Sequence, residues 1–180
     1  MKNKIQTVCL AAVISAGLIQ VASAQQGYNA WSLGLRYHTE HSTFEELPFD
    51  KGDLSGVLAY EYHESEAYWQ LALAYAWDPS GIGEDLLEPD YVLTPQINLI
   101  LKDGIWRGGV GALKSYTKFE DGSSDSTSVY WQLMLGISLP AMAGFDISAG
   151  AFYTFDRWTN LSDFSTKDLE YGAKLSYRFK

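Results

Sequence analysis

The sequence predicts an all-β fold, an eight-stranded antiparallel up-and-down β-barrel that crosses a membrane. The segment Tyr68–Trp77 shows the basis for this prediction, because large apolar residues from Trp69 to Trp77 alternate with small or polar ones from Gln70 to Ala76. Successive side chains of a strand point to opposite faces, so the two faces of this strand meet different surroundings. Trp at both ends of the apolar face is typical of a strand whose ends lie at the two surfaces of a bilayer.

Seven further segments repeat the alternation of large apolar residues with small or polar ones. They cover residues 30–38, 54–63, 91–101, 105–116, 129–139, 145–156 and 169–179. The connections after the first, third, fifth and seventh strands are long and polar, whereas the others are tight. An even number of strands with this asymmetry of connections is typical of bacterial outer-membrane barrels, which have short periplasmic turns and longer external loops. We expect a β-bulge at Pro95, because proline has no N–H to donate within a sheet.

The N-terminus predicts a secretory signal peptide. Lys2 and Lys4 precede an apolar run over residues 5–21, and the small residues 22–24 form a cleavage pattern. A positive start, an apolar run and a small-residue site are the three parts of such a leader. We therefore expect residues 1–24 to be removed.

The rest of the chain, residues 25–180, is predicted to be a single barrel domain. The one cysteine of the sequence, Cys9, lies in the leader, so the domain is expected to be stable without disulfides. The formal net charge of −9 becomes −11 without the two leader lysines. Such an acidic chain is not expected to bind nucleic acid.

Side-chain volume decides which face of the strands meets lipid. A soluble barrel would place the large apolar residues inside, but an eight-stranded interior is only just wide enough for its own side chains. The large set is too bulky for that space, so we predict that it faces lipid. The aromatic residues predicted to face lipid are Trp31, Tyr37, Tyr60, Trp69, Tyr75, Trp77, Trp131, Tyr153, Tyr171, Tyr177 and Phe179.

The opposite faces of the strands carry charged residues that are predicted to lie in the lumen. Unpaired buried charges are costly, so we expect these residues to pair with one another across the barrel. The alternative is that they line a small ion path. The charged lumen residues are predicted to be Arg36, Glu61, Arg107, Glu170, Lys174 and Arg178.

The C-terminal strand, Leu175 to Phe179 followed by Lys180, resembles the aromatic-ended signal by which barrel proteins are recognised for outer-membrane insertion. Over residues 25–180 the chain is similar to the small eight-stranded outer-membrane proteins of the OmpA transmembrane domain and OmpX type. The resemblance implies an outer membrane of a Gram-negative-type bacterium. It also implies contact with outer-membrane lipids and lipopolysaccharide, and with the insertion machinery through the last strand.

Candidate catalytic residues lie where the first two long connections leave their strands. A serine, a histidine and an acid brought together could form an acyl-transfer site. Small barrels that deacylate or palmitoylate lipopolysaccharide use such residues, so an acyl hydrolase or transferase acting on lipopolysaccharide is the enzyme alternative. The candidates are His38, His41, Ser42, Asp78 and Ser80.

The long connections are acidic, with five carboxylates in residues 39–53 and five in 78–90. Such residues could share Ca²⁺ or Mg²⁺ with lipopolysaccharide phosphates, or bind a basic partner. No calcium-loop, zinc, phosphate-loop or dinucleotide motif is present, so no metal site or cofactor is predicted. The predicted function is a structural or surface-interaction role through acidic external loops, with an extracellular ligand that the sequence does not identify. The alternatives are the lipopolysaccharide-modifying enzyme and a narrow pore.

Overall fold

A computed structural model describes residues 27–39, 47–77, 79–80 and 89–179, apart from the side chains of residues 162 and 163. The predicted signal peptide lies outside these ranges. Two 3₁₀ helices, Trp158–Asp163 and Thr166–Asp168, precede the last strand, and no helix in the described ranges is long and apolar enough to cross a membrane. The strands there are β1 (Tyr28–Tyr37), β2 (Leu54–His63), β3 (Ala67–Trp77), β4 (Pro89–Asp103), β5 (Trp106–Leu113), β6 (Tyr116–Phe119), β7 (Ser124–Ser126), β8 (Tyr130–Met142), β9 (Phe145–Phe155) and β10 (Leu169–Phe179).

The strands close into one antiparallel barrel, which confirms the predicted eight-stranded up-and-down fold. The wall follows the order β1–β2–β3–β4–β5–β8–β9–β10, and β10 pairs with β1, where Trp31 lies opposite Tyr177. Tight turns join β2 to β3, β4 to β5 and β8 to β9 at one end, which we call the tight-turn end. The other four connections lie at the opposite end, which we call the long-loop end.

The fifth wall strand is longer than the sequence predicted. The sequence predicts a long polar connection after the segment 105–116, but β6 continues β5 and pairs with the start of β4, and β7 pairs back onto β6. The hairpin turns at Gly122, whose φ of 88° is a left-handed conformation that glycine adopts without steric cost. The alternation rule misses β7 because its Ser-Asp-Ser sequence has no apolar face.

The bulge expected at Pro95 is absent. Pro95 lies opposite Leu73 in an unbroken register, and the irregularity of β4 falls instead between Pro89 and Tyr91. Lys114 donates its N–H to the Pro95 carbonyl at 3.3 Å, but proline cannot return the bond. The hydrogen bond that proline cannot donate lies at the break between β5 and β6. Proline therefore weakens the pairing with the partner strand, but it does not shift the register.

The large apolar residues lie on the outside of the barrel and the small ones inside. Along β3, Trp69 and Trp77 are exposed, whereas Ala72, Ala74 and Ala76 are buried. Of the aromatic residues predicted to face lipid, Tyr60 and Phe179 are half-buried on this outer face. Those exposed on it are Trp31, Tyr37, Trp69, Tyr75, Trp77, Trp131, Tyr171 and Tyr177.

Tyr153 departs from the prediction that it is exposed to lipid. Its register partners Leu133 and Leu169 place it on the outer face of β9, yet it is only 3% exposed. The Phe164 ring lies edge-on to the Tyr153 ring at 4.8 Å. The connection after β9 therefore folds back over the outside of the wall, which strand alternation alone cannot predict.

Glycine on β5 makes room for polar side chains in the lumen. A Cβ at Gly111 would collide with the Asn98 amide oxygen and lie 2.8 Å from the Ile97 carbonyl. Gly108, on the same strand, faces outwards, and a Cβ there would meet only the Met134 carbonyl, at 3.9 Å.

We expect Gly111→Ala to lower the free energy of unfolding by about 1–3 kcal/mol, because an added methyl group overpacks the lumen. Gly108→Ala removes the same backbone freedom and adds the same methyl group, but into open space, so its stability should be unchanged or slightly raised. Urea unfolding in lipid vesicles, followed by tryptophan fluorescence, measures both. Equal losses in the two variants would contradict the close approach at Gly111.

Candidate functional site

The residues at the long-loop end of the lumen centre on His38. The His38 N–H donates to the Asp53 carbonyl at 2.9 Å, so the backbone pairing of β1 and β2 extends past the end of β1. The inward side of the alternation therefore continues from Arg36 to His38. The His38 ring lies 2.7 Å from the Ser55 hydroxyl through Nε2 and 2.6 Å from Glu170 Oε1 through Nδ1.

Glu170 also forms an ion pair with Arg36, and both side chains are almost completely buried. The Arg36 guanidinium donates to Gln132 at 3.0 Å and to Thr154 at 3.3 Å, and it lies over the Phe152 ring at 4.5 Å. The charge thus has polar partners and an aromatic face on several sides. Such multiple pairing is what makes a buried ion pair tolerable.

Side-chain hydrogen bonds continue from Gln132 towards the tight-turn end. Gln132 donates to Asn98 at 2.7 Å and to Gln96 at 3.0 Å. Asn98 donates to Gln70 at 2.9 Å, and Gln70 donates to Glu61 at 2.8 Å. The polar groups on the inner faces of opposite walls are therefore joined in one series.

Glu61 lies where this series approaches the tight-turn end, and it joins several side chains there. It accepts hydrogen bonds from Ser32 at 3.0 Å and from the Lys174 ammonium, and its other oxygen lies 2.9 Å from His63 Nε2. The His63 ring is stacked between two tyrosines, with centroids 4.3 Å from Tyr28 and 4.2 Å from Tyr68. No sequence pattern assigns a role to His63, which closes the tight-turn end of the series.

We call this connected set the lumen network. Every wall strand except β5 contributes to it in the described part of the chain, and β5 instead supplies Gly111 beside Asn98. It consists of Ser32, Arg36, His38, Ser55, Glu61, His63, Gln70, Gln96, Asn98, Gln132, Thr154, Glu170 and Lys174.

Arg107 and Arg178, which were predicted to pair across the lumen, lie outside the network. Arg107 donates to the Gly104 and Trp106 carbonyls at 2.8 and 2.7 Å beside a tight turn. Arg178 forms an ion pair with Asp146 at the same end of the barrel, where 40% of its side chain is exposed. Alternation correctly predicted the side of the strand on which each arginine lies. It did not predict that both lie at the end of the barrel, where water reaches them.

The long-loop end of the lumen is capped from above. Leu47, Pro48 and Phe49 are buried there, and the Phe49 ring stacks on His38 with centroids 3.8 Å apart. Ser80 donates its hydroxyl to Asp53 at 2.6 Å. This bond ties the start of the second long connection to the strand end beside His38.

The predicted catalytic candidates do not converge among the described residues. His38 contacts Ser55 and Glu170, whereas Ser80 contacts Asp53. His41, Ser42 and Asp78 lie outside the described residues. Alternation could have placed Ser55 and Glu170 in the lumen, but their contact with His38 depends on the register of three strands.

Ser55, His38 and Glu170 have the hydrogen-bond order of a nucleophile, a base and an acid. The Ser55 hydroxyl is nevertheless fully buried, and Phe49 covers the histidine ring. A substrate carbonyl would have to reach the hydroxyl to react. In this arrangement the three residues form the long-loop end of the lumen network, beneath the cap formed by residues 47–49. Among the described residues, no cluster of three or more His, Cys, Asp or Glu could hold a metal ion.

Comparison with known proteins supports the class defined by the fold. Neisserial surface protein A matches with a TM-score of 0.51 at 14% identity, covering 88% of this chain and 100% of that one. Ail, the attachment invasion locus protein of Yersinia pestis, in complex with the heparin analogue sucrose octasulfate, matches with a TM-score of 0.51 at 17% identity, covering 86% and 100%. No protein-family model and no curated protein matches the sequence. The chain therefore has the fold of the small eight-stranded outer-membrane barrels, as the sequence predicted.

We expect Glu170→Gln to lower the free energy of unfolding by about 3–5 kcal/mol, because Arg36 would remain buried without its counter-ion. Asp146→Asn is the matched control, since it also removes the acid of an Arg–carboxylate pair. That pair is partly exposed, so its loss should cost about 0–1 kcal/mol. Equilibrium unfolding in vesicles distinguishes the two, and equal costs would contradict the dependence of the fold on the lumen network.

Proposed function

We propose that this protein is an integral outer-membrane barrel of a Gram-negative-type bacterium that acts through its surface loops on a basic ligand. The long-loop end is then the cell exterior and the tight-turn end the periplasmic side. The distribution of charge carries this proposal. Residues 39–53, 78–90, 114–129 and 156–168 hold sixteen Asp and Glu against five Lys and Arg, a formal charge of −11. The rest of residues 25–180 holds six of each.

The acidic loops are therefore the charged surface that a ligand outside the cell would meet. At Asp121, hydrogen bonds from the Ser123 hydroxyl and N–H hold the pKa of the carboxyl below its usual value. A concentrated negative field attracts cations and speeds the association of positively charged partners. The ligand chemistry that fits is a basic peptide segment, or divalent cations shared with lipopolysaccharide phosphates.

A sulfated polyanion does not fit this surface. Ail is described in complex with sucrose octasulfate, a heparin analogue. The loops of this chain carry an excess of eleven negative charges, which would repel such a ligand. A surface role on this fold would therefore have the opposite charge preference in this chain. The two can differ because function depends on sites placed on a fold.

A hydrolase is the second candidate function, and the contact of His38 with Ser55 and Glu170 is the observation that favours it. Its weakness is access, because the Ser55 hydroxyl is fully buried beneath the cap formed by residues 47–49.

A narrow pore, the third possibility, requires a continuous path. The lumen network crosses the barrel, and a cavity of about 90 Å³ lies beside it, lined in part by Tyr68, Ile100 and Lys174.

We expect the intact protein in vesicles to bind a fluorescent oligolysine peptide, with an affinity that falls steeply as salt is added. Replacing three loop acids (Glu84→Gln, Asp85→Asn, Glu88→Gln) should weaken binding several-fold. The control replaces three acids at the tight-turn end (Glu64→Gln, Glu66→Gln, Asp103→Asn), which changes the total charge equally. Fluorescence anisotropy measures both variants. Equal weakening in the two variants, or tighter binding of heparin than of oligolysine, would contradict the proposal.

A further inference from the structure

The connection between β9 and β10 covers part of the outer wall of the barrel. Tyr153 and Phe155 face outwards in the register of β9, opposite Leu133 and Trp131, yet they are 3% and 0% exposed. The Trp158 ring lies edge-on to Phe155, with the centroids 5.1 Å apart. Together with the Phe164–Tyr153 contact, this holds the first 3₁₀ helix and the residue after it against the outside of the wall.

The exposed side of this connection combines aromatic and basic residues. Trp158 is 41% exposed and Phe164 is 50% exposed, although each covers an aromatic ring beneath it. The Trp158 ring also lies 5.5 Å from that of Trp131, which belongs to the apolar outer face. Arg157 has 79% of its side chain exposed, and Lys167 is also exposed. The apolar surface of the wall therefore continues onto the connection, where cationic side chains border it.

Two of the three acids of this connection are buried or hydrogen-bonded within it. Asp168 is fully buried, and Asp156 accepts a hydrogen bond from Asn160 at 2.9 Å and lies 3.6 Å from Arg157. Residues 39–53 and 78–90, by contrast, hold ten acids against one base. Two of the five cationic side chains of the long connections, Arg157 and Lys167, thus lie on the connection that carries the exposed rings of Trp158 and Phe164.

We infer that Arg157, Trp158, Phe164 and Lys167 form a binding site for a phosphorylated lipid of the outer leaflet. Trp158 and Phe164 enter the boundary between headgroups and acyl chains, where aromatic rings are favoured, and Arg157 and Lys167 bind the headgroup phosphate. The occupant is a lipid rather than free phosphate, because the apolar surface is continuous with the lipid-facing wall. The inference rests on the proposed membrane location and does not depend on the basic ligand of the acidic loops.

Spin labelling tests the position of the connection. In a Cys9→Ser background, single cysteines replace Phe164, Leu135 on the outer wall and Ser124 on β7. The proteins are reconstituted in phosphatidylcholine vesicles containing phosphatidylglycerol, and the label's accessibility to oxygen and to a water-soluble nickel chelate is measured. We expect the label at position 164 to lie between the other two in depth. A label as water-exposed at 164 as at 124 would overturn the inference, whereas a water-exposed label at 135 would overturn the membrane location itself.

Lipid selectivity tests the phosphate contacts. We expect the wild-type protein to bind spin-labelled phosphatidylglycerol several-fold more strongly than spin-labelled phosphatidylcholine, and inorganic phosphate not to compete. Arg157→Gln with Lys167→Gln should remove most of this preference. Lys51→Gln with Lys118→Gln, an equal charge change in other loops, should retain it. An unchanged preference in the first pair, an equal loss in both pairs, or competition by free phosphate would each overturn the site.

Discussion

The rest of the structure depends on the pairing of polar side chains inside the barrel, and the buried ion pair between Arg36 and Glu170 is its clearest example. An eight-stranded barrel encloses just enough space for its own side chains, so each polar group that points inwards needs a partner there. Glu170 joins Arg36 and His38 on one side, and Glu61 joins Lys174 and His63 lower down. Amide side chains connect the two centres. A shift of one strand by one residue would turn its network members towards lipid, so the network also fixes the register.

Because the network crosses the lumen, we look for function at the ends of the strands and in the loops. The charge distribution is consistent with this division, since the barrel and its tight turns are neutral overall and the external loops carry the whole excess of negative charge. The connection after β9 differs from the other loops. Two of its aromatic residues, Trp158 and Phe164, pack on the wall, and its basic residues Arg157 and Lys167 are exposed, which is the basis for proposing lipid contact on this side and a basic ligand at the acidic loops.

Strand alternation and side-chain volume predicted the barrel, its eight wall strands and, outside residues 105–116, which face of the strands is outside, because these depend on local periodicity and on a single global constraint. Depth along the barrel was harder to predict. Arg178 alternates as Lys174 does, but it lies at the end of the strand, where water competes with ion pairing. The partners of His38 depend on three strands whose register the sequence does not reveal. Tyr153 is covered by a distant part of the chain, and β7 has no apolar face to reveal it.

Single-channel recording in planar bilayers tests the closed lumen most directly. The protein is added from preparations whose folded state has been verified by heat-modifiable mobility on gels, so that a silent membrane reports on a folded barrel. The lumen network and the cap formed by residues 47–49 predict no discrete conductance steps. Reproducible, ion-selective steps from the folded protein would contradict the account, because they would require a continuous water path past Arg36 and Glu170.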